Sequence, residues 1–257
     1  MFQLPRPRLS LAALCFCALS LVAVAADSIT QPVEPPPPSS DPVLPVPRDR
    51  DYSWMSLAQW QGTHADLTAI AAKGETDLVF LGDSITASTR SSESWKGTFG
   101  EYRYANFGIG GDRTQNVLWR LDHGEIGTLK PKLVVLLIGT NNIGLTENDV
   151  DDTVRGVTAV VRKLRTALPA TRLLVLGLFP RDEKPDSPLR AKIRLINAAL
   201  AKLEDGKTVF VRDIGGIFLE PDGTLSTTIS PDHLHPSEEG LRRWAETIAP
   251  TVRQLMQ

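Results

Sequence analysis

Short apolar runs recur along the chain between residues that favour turns. Continuous runs span residues 77–81, 132–138 and 172–176, and a shorter one spans 208–211. Residues 104–107 form a further strand-like segment. Continuous runs of this length are typical of strands buried on both faces. The pattern therefore predicts the strands of a parallel sheet.

Between these runs, apolar residues recur at intervals of three and four. This spacing over residues 154–168, 189–203 and 241–252 predicts amphipathic helices. Pro250 lies in the last of them, where it should kink or end the helix. Strands that alternate with helices predict an α/β fold with a parallel sheet between helices. Functional sites in such sheets lie beyond the carboxyl ends of the strands.

The N-terminal region has a different pattern. Arg6 and Arg8 precede an apolar run over residues 9–24 that ends in the small-x-small sequence Ala23-Val24-Ala25. This arrangement predicts a signal peptide over residues 1–25, and thus an exported protein that is periplasmic or secreted. A membrane anchor fits less well, because a spanning helix needs about 20 apolar residues.

A proline-rich segment follows the predicted signal peptide. Eight prolines lie within residues 31–47. Such a composition favours extended polyproline II over packed structure, so residues 26–50 are predicted to be a disordered linker, either a spacer or a plain leader. The folded domain is then expected over residues 51–257.

Composition and charge narrow the classes of function. The chain is 42% hydrophobic and 23% charged, as is usual for a soluble globular protein. Loss of residues 1–25 would remove two arginines and no acid, leaving 26 basic against 30 acidic residues and a net charge of −4. This balance argues against a nucleic-acid partner. Cys15 and Cys17 would also be lost, which leaves no disulfide and no thiol nucleophile.

Four polar clusters follow the predicted strands or precede the last helix. They are Gly82-Asp83-Ser84, the glycine-rich residues 108–114, Gly139-Thr140-Asn141 and the segment 232–235. A serine hydroxyl is a weak nucleophile that needs an adjacent base, and a histidine held by a carboxylate is well suited to that role. Ser84, His235 and Asp232 supply this set, in the order typical of serine hydrolases on parallel sheets.

The same clusters offer donors for a developing oxyanion. Gly111 can bring its backbone N–H close to a ligand, and Asn141 has a side-chain amide. Each cluster alone could be an ordinary turn, and His235 alone a surface histidine. The four together, in one order and at one edge of one sheet, predict a catalytic site.

These four blocks resemble those of the SGNH (GDSL-type) hydrolases. Residues 106–121, 131–142 and 176–181 look more narrowly like the catalytic subunits of platelet-activating-factor acetylhydrolases. The resemblance implies a three-layer flavodoxin-like fold without a cofactor. Its named roles are Ser84 as nucleophile, Gly111 and Asn141 as oxyanion donors, and Asp232 and His235 as orienting acid and base. Asn142 departs from the broader family, where many members have Asp.

The expected function is hydrolysis of short-chain, preferably acetyl, carboxylic esters through an acyl-enzyme on Ser84. The substrate would be a small ester, such as an acetylated saccharide or lipid. Ile85, Thr140 and Leu234 adjoin the proposed catalytic residues and either wall a tight acyl pocket or only pack. Two alternatives stay open: an O-acetyltransferase acting on an envelope sugar, and a non-catalytic carbohydrate-binding module of the same fold.

Other polar and aromatic residues have two possible roles each. Asp112, Arg113 and Arg181 either touch a polar substrate or form surface ion pairs. Tryptophans could stack on a sugar or pack in the core; they are Trp54, Trp60, Trp95 and Trp119. The remaining histidines lack the spacing of metal ligands, so no metal site is predicted; they are His64, His123 and His233.

Overall fold

A computed structural model describes residues 1–2, 41–146 and 148–257. The predicted signal peptide and most of the predicted linker lie outside the described residues. Five strands form one sheet within the described part of the chain. They are β1 (Leu78–Gly82), β2 (Tyr104–Gly108), β3 (Leu133–Leu137), β4 (Arg172–Leu176) and β5 (Val209–Arg212).

All neighbouring strands of the sheet run parallel, in the order β2-β1-β3-β4-β5. This is the flavodoxin-like order, in which the chain reverses its direction of winding between β1 and β3. Each strand lies within about one residue of its predicted apolar run. The structure thus confirms the predicted α/β fold class.

Helices cover both faces of the sheet. They are α1 (Leu57–Lys73), α2 (Ser84–Ser88), α3 (Glu93–Phe99), α4 (Thr114–Arg120), α5 (Thr140–Leu145), α6 (Val150–Ala167), α7 (Pro188–Leu200) and α8 (Glu238–Leu255). Short 3₁₀ turns follow α2 and α7 and the end of β5, and a π turn over Leu121–Glu125 follows α4. Within the described part of the chain, no helix is long and apolar enough to cross a membrane.

Two hydrophobic cores result from the alternation of side chains along the strands. Val79 and Leu81 point to one core, which also contains side chains of α1, α4, α6 and α7. Leu78 and Phe80 point to the other, where they meet α3 and α8. The sheet is therefore the middle of three layers, and its strands are apolar throughout because both faces are buried.

Helix α8 does not end at Pro250. It continues to Leu255, so of the two effects expected at this proline, a kink or a helix end, the helix end is wrong. Proline removes one backbone hydrogen bond. Trp244, Ile248 and Val252 are all nearly fully buried on either side of it, and this packing holds the helix in place across the missing bond.

The folded region begins before the predicted boundary at Asp51. The Pro42 carbonyl accepts a hydrogen bond from Thr114 Oγ1 at 2.8 Å, and the Val46 carbonyl accepts one from Asn116 Nδ2 at 3.1 Å. Arg48 is only 4% exposed. This segment thus packs against the start of α4 and the loop before it, because its backbone carbonyls find partners in α4 and Arg48 finds them at Gly110 and Asp112.

Candidate active site

The polar clusters meet at the carboxyl edge of the sheet. Ser84 is the first residue of α2, directly after β1, and the Asp83 side chain caps that helix by accepting a hydrogen bond from Ile85 N at 2.9 Å. Gly111 follows β2, and Asn141 lies in the first turn of α5 after β3. The edge between β1 and β3 is the position where open parallel sheets bind their ligands.

Ser84, His235 and Asp232 form a continuous hydrogen-bonded chain. His235 Nε2 lies 2.8 Å from Ser84 Oγ, and His235 Nδ1 lies 2.6 Å from Asp232 Oδ2. This is the geometry in which a carboxylate holds the imidazole in the tautomer that accepts the serine proton. The structure therefore brings the three predicted residues together in the arrangement of a serine hydrolase.

The loop that carries Asp232 and His235 is held by its own backbone. Asp232 Oδ1 accepts hydrogen bonds from the backbone N–H groups of Leu234 and His235, at 3.0 and 2.7 Å. Partial burial alone would raise the pKa of Asp232, but the hydrogen bonds from His235 outweigh it and lower the pKa below its usual value. Asp232 is therefore a carboxylate at neutral pH, as its orienting role requires.

Two candidate oxyanion donors line the same cavity as Ser84. Gly111 has a φ of +73°, and within the described part of the chain its N–H has no hydrogen-bond acceptor. Asn141 Nδ2 donates one hydrogen bond, to the Asp112 carbonyl at 2.9 Å, which leaves its second N–H available. A free backbone donor beside a fixed amide is the composition of an oxyanion hole.

Asn142, the departure from the broader family, has a structural role. Its Oδ1 accepts a hydrogen bond from Thr114 N at 3.0 Å, and its Nδ2 donates to Thr114 Oγ1 and Gln115 Oε1, each at 3.1 Å. The side chain is fully buried. An amide is required because a carboxylate could not make the two donated bonds. Asn142 thus ties α5 to the start of α4.

A cavity of about 220 Å³ opens at Ser84. Its lining residues are Trp54, Ser84, Gly110, Gly111, Asn141, Gly144, Leu145, Arg181, Leu234 and His235. A larger and more open groove of about 600 Å³ lies along α6, but its lining holds no serine, histidine or carboxylate. Of these two cavities, only the smaller one is lined by the candidate catalytic residues Ser84 and His235.

Of the three predicted pocket residues, only Leu234 lines this cavity. Ile85 is 1% exposed and belongs to the core on the α3 and α8 side of the sheet. Thr140 is buried behind the wall, where its carbonyl accepts a hydrogen bond from Arg181. The structure thus assigns Ile85 and Thr140 to packing, because the turn of each short helix directs the residue next to the catalytic one inward.

Asp83, beside the nucleophile, is fully buried. Its Oδ1 caps α2, whereas its Oδ2 has no hydrogen-bond partner in the part of the chain that the structure describes. Burial raises the pKa of Asp83 to about 7. This carboxyl group is therefore partly protonated near neutral pH, and it is not a permanent negative charge behind Ser84.

Behind the glycine-rich loop lies a buried network of charges. Arg120 donates to Asp112 Oδ2 at 2.5 Å and to Glu125 Oε2 at 2.6 Å, and all three side chains are fully buried. Burial by itself lowers the pKa of Arg120, but the two carboxylates raise it above its usual value. Trp60 Nε1 also donates to Asp112, at 2.7 Å.

Residues 41–55 complete this side of the site. The Arg48 Nη2 atom donates to the Gly110 carbonyl and lies 3.5 Å from Asp112 Oδ1. Its guanidinium carbon is 5.5 Å from the centre of the Trp54 ring. Asp112 and Arg113, within the glycine-rich loop, are themselves buried and are not the surface ion pairs considered from the sequence.

The tryptophans divide between core and cavity. Trp60 and Trp95 are almost fully buried, and Trp119 packs half-buried against the core. Trp54, by contrast, is 53% exposed and lines the cavity. The sequence offered only a weak signal for Trp54 and Arg181, namely an aromatic and a cation without a clear core pattern.

The chain is similar to known hydrolases over most of its length. Residues 80–243 match the model of the GDSL-like lipase/acylhydrolase family. The platelet-activating factor acetylhydrolase IB subunit alpha2 of Rattus norvegicus is 36% identical over 200 residues, which cover 77% of this chain and 86% of that protein. The alpha1 subunit of the same enzyme from Bos taurus is 38% identical over 204 residues, which cover 79% of this chain and 84% of that protein.

Solved structures agree on the fold. A GDSL-like lipase from Bacteroides thetaiotaomicron superposes with a TM-score of 0.63 at 20% identity, over 77% of this chain and 98% of the other. At this identity the likeness shows the fold alone. Together with the match of the family model, it leads to one conclusion: the chain belongs to the GDSL-like lipase/acylhydrolase family of SGNH hydrolases and is a carboxylic ester hydrolase.

Proposed function

We propose that this protein hydrolyses short-chain carboxylic esters, acetyl esters above all, through an acyl-enzyme on Ser84. The observation that carries the proposal is the hydrogen-bonded chain from Ser84 through His235 to Asp232, which opens into a cavity of about 220 Å³. Membership of the hydrolase family supports ester hydrolysis, and the size of the cavity supports the preference for short acyl groups.

The first half of the reaction forms the acyl-enzyme. His235 Nε2 takes the proton from Ser84 Oγ as the oxygen attacks the ester carbonyl carbon. The negative charge on the carbonyl oxygen is met by the N–H groups of Gly111 and Asn141. When the bond to the alcohol oxygen breaks, His235 gives the proton to that oxygen, and the alcohol leaves.

The second half releases the acid by the same steps. A water molecule attacks the acyl carbon while His235 Nε2 accepts one of its protons. The bond to Ser84 Oγ then breaks, and the proton passes from His235 to Ser84, which restores the resting site. Asp232 stays ionised throughout and stabilises the imidazolium that forms in each half.

The size and lining of the cavity support a small acyl group. Trp54, Leu145 and Leu234 supply its bulky apolar side chains. The remaining volume, about 220 Å³, must hold the acyl group together with the first atoms of the alcohol. The rat and bovine relatives are named acetylhydrolases, which supports the same preference.

The acyl-length preference is tested with p-nitrophenyl esters from acetyl to octanoyl. We expect kcat/KM to fall steeply beyond butyryl, because longer chains would have to displace the Trp54 wall. Leu234→Ala should shift the preference toward longer chains, whereas Leu195→Ala, an exposed site on α7, should leave the profile unchanged. A rate that rises steadily with chain length would contradict the acetyl assignment.

We also propose that the protein is exported after cleavage near Ala25. Arg6, Arg8, the apolar run over 9–24 and the Ala23-Val24-Ala25 sequence support this. The test is expression of the full chain, followed by fractionation and N-terminal mass spectrometry. Uncleaved protein retained in the cytosol would refute the proposal.

A further inference from the structure

Arg181 is the cation of the catalytic cavity. It follows β4 in the chain and lines the same cavity as Ser84 and His235. Its Nη1 donates to the Thr140 carbonyl at 3.2 Å. A side chain at Gly144 would overlap this nitrogen, so the glycine leaves the space that the guanidinium occupies. The charge is thus held at the wall of the cavity by two features of α5.

Arg181 has no counter-ion in the described part of the chain. Two other arginines at this end of the sheet do have carboxylate partners, since Arg48 lies beside Asp112 and Arg120 lies between Asp112 and Glu125. No carboxylate of the described residues comes within 4.0 Å of Arg181. Asp83 acts on it only at longer range, and burial raises the pKa of that carboxyl group to about 7.

Most of the hydrogen-bonding capacity of this guanidinium is unused. Both hydrogen bonds of Arg181 use Nη1, and its Nε is buried without a partner among the described residues. A half-buried cation at an apolar wall is costly unless it is paired. An anion entering the cavity would supply the missing partner.

We propose that the natural substrate carries an anionic group, a carboxylate or a phosphate, on the alcohol half of the ester, and that Arg181 binds it. The inference rests on the proposed function, since an acetyl group has no place for a further charge and the anion must lie on the alcohol. Arg181 is then a specificity-determining residue. The cavity joins it to the nucleophile, so one molecule can reach both.

The test compares esters that differ in charge and share the acetyl group. The probes are 4-acetoxybenzoate, 4-acetoxyphenyl phosphate and the neutral 4-acetoxybenzamide, each rate being divided by the rate of hydrolysis in hydroxide alone. We expect the wild-type protein to favour at least one anionic probe by about tenfold in kcat/KM, as a hydrogen bond to a charged group allows. The better of the two anionic probes identifies the carboxylate or the phosphate as the natural group.

Substitutions test whether Arg181 causes the preference for anionic probes. Arg181→Gln should bring the ratio of anionic to neutral kcat/KM close to one, and Arg181→Lys should keep part of it, because the charge remains without the planar donors. Arg162→Gln is the matched control, since it removes an equal charge from an exposed position on α6 outside the cavity. This control should keep the wild-type ratio.

Salt gives a second measurement that does not depend on the folding of a variant. The wild-type ratio should fall as sodium chloride is raised from 0.05 to 0.5 M, because screening weakens the attraction (a Debye length of ~10 Å at 0.1 M). Equal rates for anionic and neutral probes in the wild-type protein would overturn the inference. A ratio of anionic to neutral kcat/KM that is unchanged in Arg181→Gln would also overturn it, because the only role left for Arg181 would be its hydrogen bond to Thr140. Ser84-dependent hydrolysis of the neutral probe would still support the proposed function in either case.

Discussion

Gly111 lies directly beneath the indole of Trp54. A Cβ at residue 111 would overlap the Trp54 ring, and the φ of +73° belongs to the left-handed region that favours glycine. The absence of a side chain at Gly111 therefore leaves the space that the Trp54 ring occupies. Two separate costs must follow from any side chain at this position.

Gly111→Ala should lower kcat by about 10²–10³-fold, because the displaced loop moves one oxyanion donor away from the reacting carbonyl. Steady-state hydrolysis of p-nitrophenyl acetate measures this. Adding Trp54→Ala should restore only part of the activity, since it removes the overlap but leaves the strained φ. Gly97→Ala is the control, because its new methyl group would meet no atom within 4 Å. Full activity in Gly111→Ala would rule out the donor role.

Asp232→Asn should reduce kcat by about 10²–10⁴-fold with little change in KM, because the amide favours the wrong imidazole tautomer. We expect the lower part of this range. The Asp232 side chain is 56% exposed, so water can replace some of its interaction with His235. Circular dichroism should show an unchanged fold. A variant with wild-type kcat would show that His235 needs no orienting carboxylate.

Asp83→Asn should change the dependence of stability on pH. The folded-state pKa of about 7 lies above the usual aspartate value of 3.8, so burial of Asp83 destabilises the wild-type fold progressively as the pH rises from about 4 to 7. In the variant, the side-chain oxygen of the new asparagine can still accept the hydrogen bond that caps α2, but there is no buried carboxyl group to ionise. The free energy of unfolding of Asp83→Asn should therefore rise relative to that of the wild type by up to ~1.4 kcal/mol per pH unit between about pH 4 and 7.

Urea titrations of both proteins at pH 4, 5.5 and 8 measure this difference. Every other titrating group is shared, so it cancels when the two proteins are compared. A difference in unfolding free energy that stays constant from pH 4 to 8 would mean that Asp83 is ionised in the fold and has another partner.

Arg120→Met should destabilise the protein by about 3–5 kcal/mol, because it leaves the carboxylates of Asp112 and Glu125 buried without their cation. Arg103→Met removes an arginine of an exposed ion pair with Asp77 and should cost less than about 1 kcal/mol. Denaturant unfolding of the two variants gives both values. Equal losses would show that burial does not set the strength of these pairs.

The fold, and the meeting of the candidate catalytic residues, could be predicted from the sequence for one physical reason. Parallel strands end at one edge, so polar clusters that follow successive apolar runs must meet there. Ser84 and Asn141 follow β1 and β3, the pair of strands on either side of the switch point. The Asp232 and His235 pair could be placed because one turn joins the two residues.

The remaining residues of the site required the three-dimensional structure. Arg48 and Trp54 lie in a segment without helical or strand periodicity, and their contacts to Gly110 and Gly111 cross about 60 residues of sequence. Ile85 could not be assigned to the pocket or to packing from the sequence, since adjacency to Ser84 does not fix the direction of a side chain. The phase of α2 turns it into the core.

The most direct test of the account is to trap the nucleophile. The protein is treated with an irreversible organophosphate, residual hydrolysis of p-nitrophenyl acetate is followed, and the labelled residue is located by peptide mass spectrometry. We predict one adduct per chain, on Ser84, with activity lost in proportion to labelling and with no labelling in Ser84→Ala. Complete inactivation with the label on another residue, or full labelling of Ser84 with activity retained, would contradict the assignment of Ser84 as the catalytic nucleophile.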